Sequence, residues 1–207
     1  GGTAMSIPFQ DSETAKNLLR AFAGESQARN RYDFAANLCQ KQELQAMSFI
    51  FQATAKQEQA HAKVFWDHLQ ALNGQNLPIY GAYPIEGTNR ILELLRAAQH
   101  NEHEEHGSVY PSFAAIATQE GFPEAAASFR QIAAIEQLHG ERFGLLADQL
   151  ESGALFVSQI ETGWMCLNCG HTQNSLEAPK QCPVCNHSQG WFIRLELAPW
   201  SPVAKQT

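Results

Sequence analysis

The sequence predicts a mainly α-helical protein, a four-helix bundle followed by a small C-terminal β domain that is stapled by a metal. Three observations predict this. Apolar residues recur at three- and four-residue steps between residues 11 and 151, the spacing of one helix face. Two Glu-x-x-His sequences, Glu58–His61 and Glu136–His139, lie in that region. Two Cys-x-x-Cys pairs follow residue 160, in a stretch rich in Trp, Pro and Gly.

The composition fits one sizeable core with a small appendage. The 207 residues are 44% hydrophobic and carry a net charge of −7, which gives no basic footprint for nucleic acid. No apolar run approaches a membrane span and no signal peptide is recognised, so we expect no membrane partner and a cytoplasmic location. We expect the bundle over residues 5–151, a linker over 152–163 and the metal-stapled domain over 164–203.

The first two helices should form an antiparallel hairpin. Asp11 or Ser12 can cap the first helix, which is expected to run to about Gln40. A short polar break leads to the second helix, expected over about 44–72. Residues 73–88 contain Gly and Pro and predict a long crossover along the bundle.

The third and fourth helices have equally clear limits. Thr88 or Asn89 can cap the third, which is expected to continue to about Glu120. Pro123 suits the first turn of the fourth, which should run to about Glu151.

Every one of these helices carries an acidic residue within its apolar face. On the third helix, helical geometry places Glu102 and Glu105 about 60° apart on one face. The inward set consists of Glu25, Glu58, His61, Glu102, Glu105, Glu136 and His139. Five buried carboxylates would be prohibitively costly alone, and two metal cations would compensate them. Carboxylates with a few imidazoles suit iron or manganese, and the set nearly matches that of di-iron carboxylate bundles. The alternative is that each glutamate is a solvated surface residue. It requires a charged residue to interrupt the apolar face of all four helices by coincidence.

Two tyrosines and three histidines accompany this set. Tyr32 shares the face of Glu25, and Tyr110 follows the third-helix pair; either hydroxyl could orient a ligand carboxylate, with core packing as an equal alternative. His106 lies within about 40° of Glu102 and could support a ligand. His100 and His103 are expected to face solvent, and none of the three histidines is predicted to bind metal.

The cysteines predict a second metal site. Its ligands would be Cys166, Cys169, Cys182 and Cys185. Two such pairs form a tetrahedral four-thiolate site, and their spacing leaves a structural zinc and a single iron equally open. The expected aromatic core of this domain consists of Trp164, Trp191, Phe192 and Trp200.

Over nearly its whole length the sequence resembles the rubrerythrin family. The resemblance is carried by Glu25 to Tyr32, Glu58-x-x-His61, Glu102-x-x-Glu105, Tyr110-Pro111-x-Phe113-Ala114, Glu120-Gly121-Phe122, Glu136-x-x-His139, Trp164-x-Cys166-x-x-Cys169-Gly170 and Cys182-Pro183-x-Cys185. Gly107 is a mild departure, and because Gly weakens a helix interior we expect the third helix to be looser there.

The resemblance implies a ferritin-like bundle with a non-haem di-iron site, joined to a rubredoxin-like Fe(Cys)4 domain in which zinc could substitute. It implies the reduction of hydrogen peroxide to water. Glu58 and Glu136 would bridge the irons. Glu25 would hold one iron with Glu105 or His61 as an exchangeable ligand, and Glu102 and His139 would hold the other. The residues to which the resemblance gives catalytic roles are His61, Glu105, Tyr32 and Tyr110.

The expected partners follow from this scheme. A rubredoxin or a reductase would supply electrons. The cysteine domain leaves from the end of the fourth helix whereas the di-iron site is mid-bundle, so we expect a head-to-tail homodimer in which each cysteine domain serves the other subunit. Two alternatives remain open: a ferroxidase or iron-handling protein, and a non-enzymatic protein with a structural zinc ribbon.

Overall fold

The computed structural model describes residues 7–199 and has the predicted mainly helical architecture with a small C-terminal sheet. Trp200 and the outermost residues of the two expected domains, 5–6 and 200–203, lie outside the described residues. No helix within residues 7–199 is long and apolar enough to cross a membrane.

The first hairpin consists of helix α1 (Glu13–Lys41) and helix α2 (Gln45–His68). Of the two predicted caps, Ser12 is the one used, since its side chain accepts a hydrogen bond from the amide of Ala15. Helix α2 ends earlier than predicted. The amide of Leu69 bonds to the carbonyl three residues back, and a 3-10 turn over Gln70–Leu72 follows.

The third helix of the bundle is not continuous, contrary to the prediction. Helix α3 (Ile91–Glu104) gives way to a π-helical turn over Glu105–Val109, and helix α4 (Tyr110–Glu120) follows. The reason lies in Pro111, which has no N–H to donate and whose ring would clash with the carbonyl four residues earlier in a regular helix. The wider turn avoids that clash by inserting one extra residue.

The start of α3 also differs from the prediction. Arg90 is the residue before the first turn, and it makes no side-chain capping bond. The hydroxyl of Thr88, one of the predicted caps, instead accepts from the amide of Arg90 at 3.1 Å.

Helix α5 (Pro123–Glu151) completes the bundle, with Pro123 in the first turn as predicted. Gly140 and Gly144 let α3 approach closely, because a Cβ at either would collide with His103 or Gln99. Residues 73–90 form no helix or strand and run along the bundle between α2 and α3.

The C-terminal domain is a three-stranded antiparallel sheet in the order β2-β1-β3. Its strands are β1 (Val157–Cys166), β2 (Thr172–Glu177) and β3 (Phe192–Arg194). Strand β1 therefore starts inside the segment expected to be a linker. Trp164 and Phe192 are buried in the core of the domain, and Trp191 packs against it partly buried.

This domain packs against the α1–α2 end of its own bundle. The ring of Trp191 lies 5.8 Å from that of Phe49 between centroids. Gly190 is pressed against the carbonyl of Glu43, so that a Cβ there would lie 1.7 Å from the oxygen. Ile193 shares a buried cluster with Ala46 of α2. The sheet is thus positioned at the start of α2.

Candidate metal centres

The predicted carboxylates lie in the middle of the bundle, between two apolar clusters. One cluster is built around Tyr32, Phe51 and Phe143. The other is built around Phe65 and Phe129. The two clusters flank the polar layer at both ends, so the layer is shielded from water along the axis of the bundle.

The first group of potential ligands consists of Glu25, Glu58, His61 and Glu136, each buried and with one ligand atom within 4.8 Å of the others. His61 lies at the centre of this group. Its Nδ1 is 2.8 Å from Glu136 Oε1, 3.1 Å from Glu58 Oε2 and 3.7 Å from Glu25 Oε2. Four donors at this separation are suited to one cation.

The second group consists of Glu58, Glu102, Glu136 and His139, again all buried and within 4.8 Å of one another. His139 Nδ1 lies 2.9 Å from an oxygen of Glu58, 2.9 Å from one of Glu136 and 4.0 Å from one of Glu102. Glu58 and Glu136 belong to both groups. Two cations held here would therefore be neighbours that share two carboxylates.

The donor atoms fit cations because their hydrogen-bonding capacity is unused. Among the described residues, the buried atoms without a hydrogen-bond partner include Glu25 Oε2, Glu58 Oε1, Glu102 Oε2, both oxygens of Glu136 and His139 Nδ1. Unpartnered buried polar atoms are rare in folded proteins. All six point to the same two groups, and this donor set of carboxylates and imidazoles is compatible with iron.

Burial and crowding shift the pKa values of these side chains in opposite directions. Burial raises the pKa of Glu25 and of Glu102, since a charged carboxylate is poorly solvated there. Burial acts against ionised Glu58 as well, but contacts with His139 and His61 outweigh it and lower the pKa of Glu58 to about 2. The carboxylates of the layer thus differ in their pKa values, with that of Glu58 lowered and those of Glu25 and Glu102 raised.

Two tyrosine hydroxyls hold the outer carboxylates. Tyr32 donates a hydrogen bond to Glu102, and Tyr110 donates one to Glu25. Both tyrosines are buried, and burial raises the pKa of each phenol, which keeps it protonated and able to donate. Both roles left open by the sequence are present, since each tyrosine bonds to a carboxylate and also packs in a buried apolar cluster.

Gln57 contacts the predicted ligand His139, and the sequence did not predict this contact. Its Oε1 accepts a hydrogen bond from His139 Nε2–H at 2.9 Å. This bond orients the ring so that Nδ1 faces Glu58 and Glu136. The only signal in the sequence was its position beside Glu58.

Glu105 is the one predicted ligand that lies outside both groups. It is half-buried, at the first position of the π turn, and lines a cavity. Burial and the neighbouring carboxylates Glu136 and Glu58 raise the pKa of Glu105 to about 8. Between the two exchangeable ligands implied by the family resemblance, the structure has His61 within the cluster and Glu105 beside it.

The three histidines of α3 and the π turn, His100, His103 and His106, lie away from the potential ligand atoms. His106 Nδ1 donates to the carbonyl of Ala133 on α5 at 2.8 Å, so it does not support Glu102 as the sequence had suggested. His103 is exposed and lies against Gly140. His100 is exposed and lies 3.6 Å from Glu104.

The four predicted cysteines form one cluster, with their sulfur atoms within 4.8 Å of one another. Each Cys-x-x-Cys pair makes a similar turn: the amide of Gly170 bonds to the carbonyl of Cys166, and that of Asn186 to the carbonyl of Cys182. Gly170 and Asn186 both adopt positive φ, 77° and 62°, which these residue types tolerate best. Four thiols converging in this way are suited to tetrahedral coordination of one metal ion.

Comparisons with known proteins agree with both centres. A family model described as Rubrerythrin matches residues 16–147, and one described as Rubrerythrin, rubredoxin-like domain matches residues 164–193. The chain is 43% identical over 190 residues to the rubrerythrin of Porphyromonas gingivalis, covering 92% of this chain and 94% of that protein. It is 43% identical over 185 residues to the rubrerythrin of Clostridium perfringens, covering 89% and 95%.

A solved structure supports the fold. Nigerythrin in a mixed-valent state aligns with a TM-score of 0.59 at 23% identity, covering 93% of this chain and 90% of that one. At this identity the likeness concerns the fold alone. The family models and the two rubrerythrins confirm the resemblance drawn from the sequence motifs, and the fold of the bundle is ferritin-like.

Proposed function

The chain belongs to the rubrerythrin family, and from this premise we propose that it is a non-haem di-iron peroxidase that reduces hydrogen peroxide to water and so protects against oxidative stress. Membership supports an oxidoreductase with a di-iron site and a rubredoxin-like iron site. The choice of peroxide as the oxidant is our proposal, as is a cytoplasmic location, where cysteines remain reduced for metal binding.

The observation that carries the proposal is the sharing of Glu58 and Glu136 by two adjacent ligand groups. The reaction consumes two electrons and two protons for each peroxide molecule and yields two water molecules. A pair of bound ferrous ions would supply both electrons and Lewis-acid binding of the peroxide oxygens. One metal alone would supply a single electron and leave the reduction half complete.

The protein's own contribution is to hold this site rigid and dry. Tyr32 and Tyr110 fix Glu102 and Glu25 by hydrogen bonds, and Gln57 fixes the ring of His139. The apolar cluster around Phe143 excludes water from one end of the layer. The half-buried Glu105 is the carboxyl group placed to exchange protons between the site and the adjoining cavity.

We propose that the cysteine domain delivers electrons to the di-iron site of a partner subunit in a head-to-tail homodimer. Within one chain this domain packs at Ala46 and Phe49, and Glu58 is 12 residues further along α2 than Ala46, or roughly 18 Å at the helical rise. A rubredoxin or a reductase would reload the cysteine iron. A monomer in solution with full turnover would overturn this arrangement.

The test is an anaerobic stopped-flow experiment on the fully reduced, iron-loaded protein. Hydrogen peroxide and dioxygen are mixed with it in separate runs, and the absorbance of both iron sites is followed. We expect peroxide to oxidise both sites, and much faster than dioxygen does. Faster oxidation by dioxygen would instead indicate a ferroxidase or iron-handling protein.

Metal analysis of the same sample covers the non-enzymatic alternative. We expect iron in the cysteine site after anaerobic loading. A colourless protein that retains zinc there would indicate a structural ribbon and would contradict the electron-transfer scheme.

A further inference from the structure

A cavity of about 210 Å³ adjoins the polar layer on the side of α3. Its lining includes Gln27, Arg31, Asn101, Glu104, Glu105 and Tyr110. Tyr110 donates to Oε1 of Glu25, so the cavity ends one hydrogen bond away from a buried carboxylate whose other oxygen, Oε2, has no hydrogen-bond partner. A larger groove between α1 and α2 is lined by none of the predicted metal ligands.

The outer wall of the cavity is the segment 80–86, part of the long connection between α2 and α3. Apolar burial contributes little to holding it, since Tyr80 is 85% exposed and Ile85 is 97% exposed. Gly81, Ala82, Tyr83 and Pro84 of this segment line the cavity. Segments with few buried apolar contacts open at low free-energy cost. We call residues 80–86 the cover.

Polar contacts attach the cover to the bundle at each end. At its start, Arg20 Nε–H donates to the carbonyl of Tyr80 at 2.8 Å, and the hydroxyl of Tyr83 donates to the carbonyl of Arg20 at 2.8 Å. At its end, Glu86 accepts two hydrogen bonds from the Arg31 guanidinium at 2.9 Å, and a third from Asn101 at 2.7 Å. Glu86 therefore ties α1 to α3 across the cavity.

The Arg31–Glu86 pair is well suited to control this segment. The two side chains are only 13% and 14% exposed, so solvent screens their attraction far less than that of a surface pair. The pair also neutralises Arg31, and Glu13 neutralises Arg20. The carboxylate of Glu104, which lines the cavity, then leaves it with a negative potential that attracts divalent cations.

We propose that this cavity is the passage through which ferrous iron enters and leaves the carboxylate layer, and that the Arg31–Glu86 pair sets the rate by holding the cover closed. The proposal rests on the layer being the di-metal centre of the proposed function. It concerns metal exchange and not the reaction with peroxide, so either idea can fail without the other.

The test measures iron exchange directly. Full-length protein with zinc in the cysteine site and an empty carboxylate layer receives ferrous iron anaerobically, and uptake is followed by chelator quench. Release from the loaded protein is followed with the same chelator in excess. Glu86→Gln removes the carboxylate charge from the Arg31–Glu86 pair, and Tyr83→Phe removes one of the two hydrogen bonds at the start of the cover. Glu93→Gln is the control, because Glu93 is an exposed carboxylate that bonds only to Thr88 and Arg90 at the start of α3.

We expect uptake and release each to become roughly tenfold faster in Glu86→Gln, and somewhat faster in Tyr83→Phe, because weaker anchors raise the open fraction of the cover. The dissociation constant should stay the same, since no ligand is altered and both rates rise together. Unchanged rates in both variants would overturn the proposal. So would faster release with weaker binding, or an equal effect of Glu93→Gln.

Discussion

At the scale of single residues, the layer depends on neutral side chains that orient charged ones. Tyr32, Tyr110 and Gln57 each make one hydrogen bond to a different potential ligand. These bonds fix ring and carboxylate orientations before any cation arrives, which lowers the cost of assembling the site. The tyrosines could be anticipated because they share helix faces with the carboxylates.

Replacing Gln57 tests this role. In Gln57→Ala, His139 loses the acceptor for its Nε2–H and its ring is free to rotate. We expect the metal held by His139 to bind about 10- to 100-fold more weakly. Titration calorimetry of the metal-free protein with ferrous iron measures this. Gln59→Ala is the matched control, an exposed glutamine on the same helix, and an equal loss there would contradict the assignment.

The contact made by Gln57 shows where sequence reasoning stops. The carboxylates and His139 interrupt apolar faces, so periodicity alone brings them together. Gln57 lies on an exposed part of α2, and its partner is on α5. The side-chain amide of Gln57 reaches the imidazole of His139 only because α2 packs against α5. The periodicity of a single helix does not predict how two helices pack against each other. Glu105 lies beside both groups, at the residue where the π turn begins, and its role as an exchangeable ligand stays a prediction.

At the scale of elements, the π turn and the helix ends decide which side chains reach the layer. A single extra residue in Glu105–Val109 rotates everything after it by about 100° relative to a regular helix. Glu102 precedes the turn and Tyr110 follows it, and both reach the layer. Pro111 was visible in the sequence as a helix breaker, but the prediction of one continuous helix did not use it.

Deleting Gly107 tests the register. The deletion removes the extra residue, so Glu102 and Tyr110 can no longer both face the layer. We expect the protein to remain helical by circular dichroism but to lose at least one metal per chain by metal analysis. Full metal loading of the deletion variant would contradict this account.

Gly107→Ala is the companion variant. A Cβ at this position meets nothing within 4 Å, so an alanine side chain fits here without a steric clash. Alanine should raise the free energy of unfolding by about 0.5–1 kcal/mol, since it restricts the unfolded chain more than glycine does. Thermal unfolding measures the change, and metal content should not alter.

Glu120 links the end of α4 to the start of α1. Its carboxylate accepts from the amides of Glu13 and Thr14 at 3.0 and 2.7 Å and from the Thr14 hydroxyl. Partial burial alone would raise the pKa of Glu120, but these hydrogen bonds outweigh it and lower the pKa below its usual range.

This lowered pKa gives a pH dependence of defined sign. The folded state holds its proton less tightly than the unfolded state, so the stabilisation is present above the ordinary carboxyl pKa and is lost as pH falls through the lower folded value. Glu120→Gln should cost about 1 kcal/mol at neutral pH, with a smaller difference from the parent in acid. Urea unfolding across pH checks it. Glu141→Gln, an exposed glutamate of α5, should show no such trend.

At the scale of the whole molecule, the tightest of the contacts that position the cysteine domain is made by Gly190. Gly190 lies so near the Glu43 carbonyl that no side chain fits between them. Glu43 itself has a φ of 59°, a conformation that costs energy for a residue with a side chain. The two parts of the chain are therefore fitted to each other, and the cysteine cluster is held at the start of α2.

Gly190→Ala should release the domain from the bundle. A Cβ 1.7 Å from an oxygen cannot be accommodated without displacement of the backbone. We expect a larger radius of gyration by small-angle scattering with unchanged helix content. Ser188→Ala, a neighbouring exposed position, serves as the control. Unchanged scattering in Gly190→Ala would show that this contact does not hold the domain.

In the proposed reaction, peroxide draws electrons from the cysteine iron by way of the carboxylate layer. The most direct test compares two reduced samples that both hold iron in the cysteine site, one with iron in the carboxylate layer and one with redox-inert zinc there. Each is mixed anaerobically with hydrogen peroxide while the absorbance of the cysteine iron is recorded. We predict prompt oxidation in the first sample and almost none in the second. Equal rates of oxidation in both samples would contradict the account.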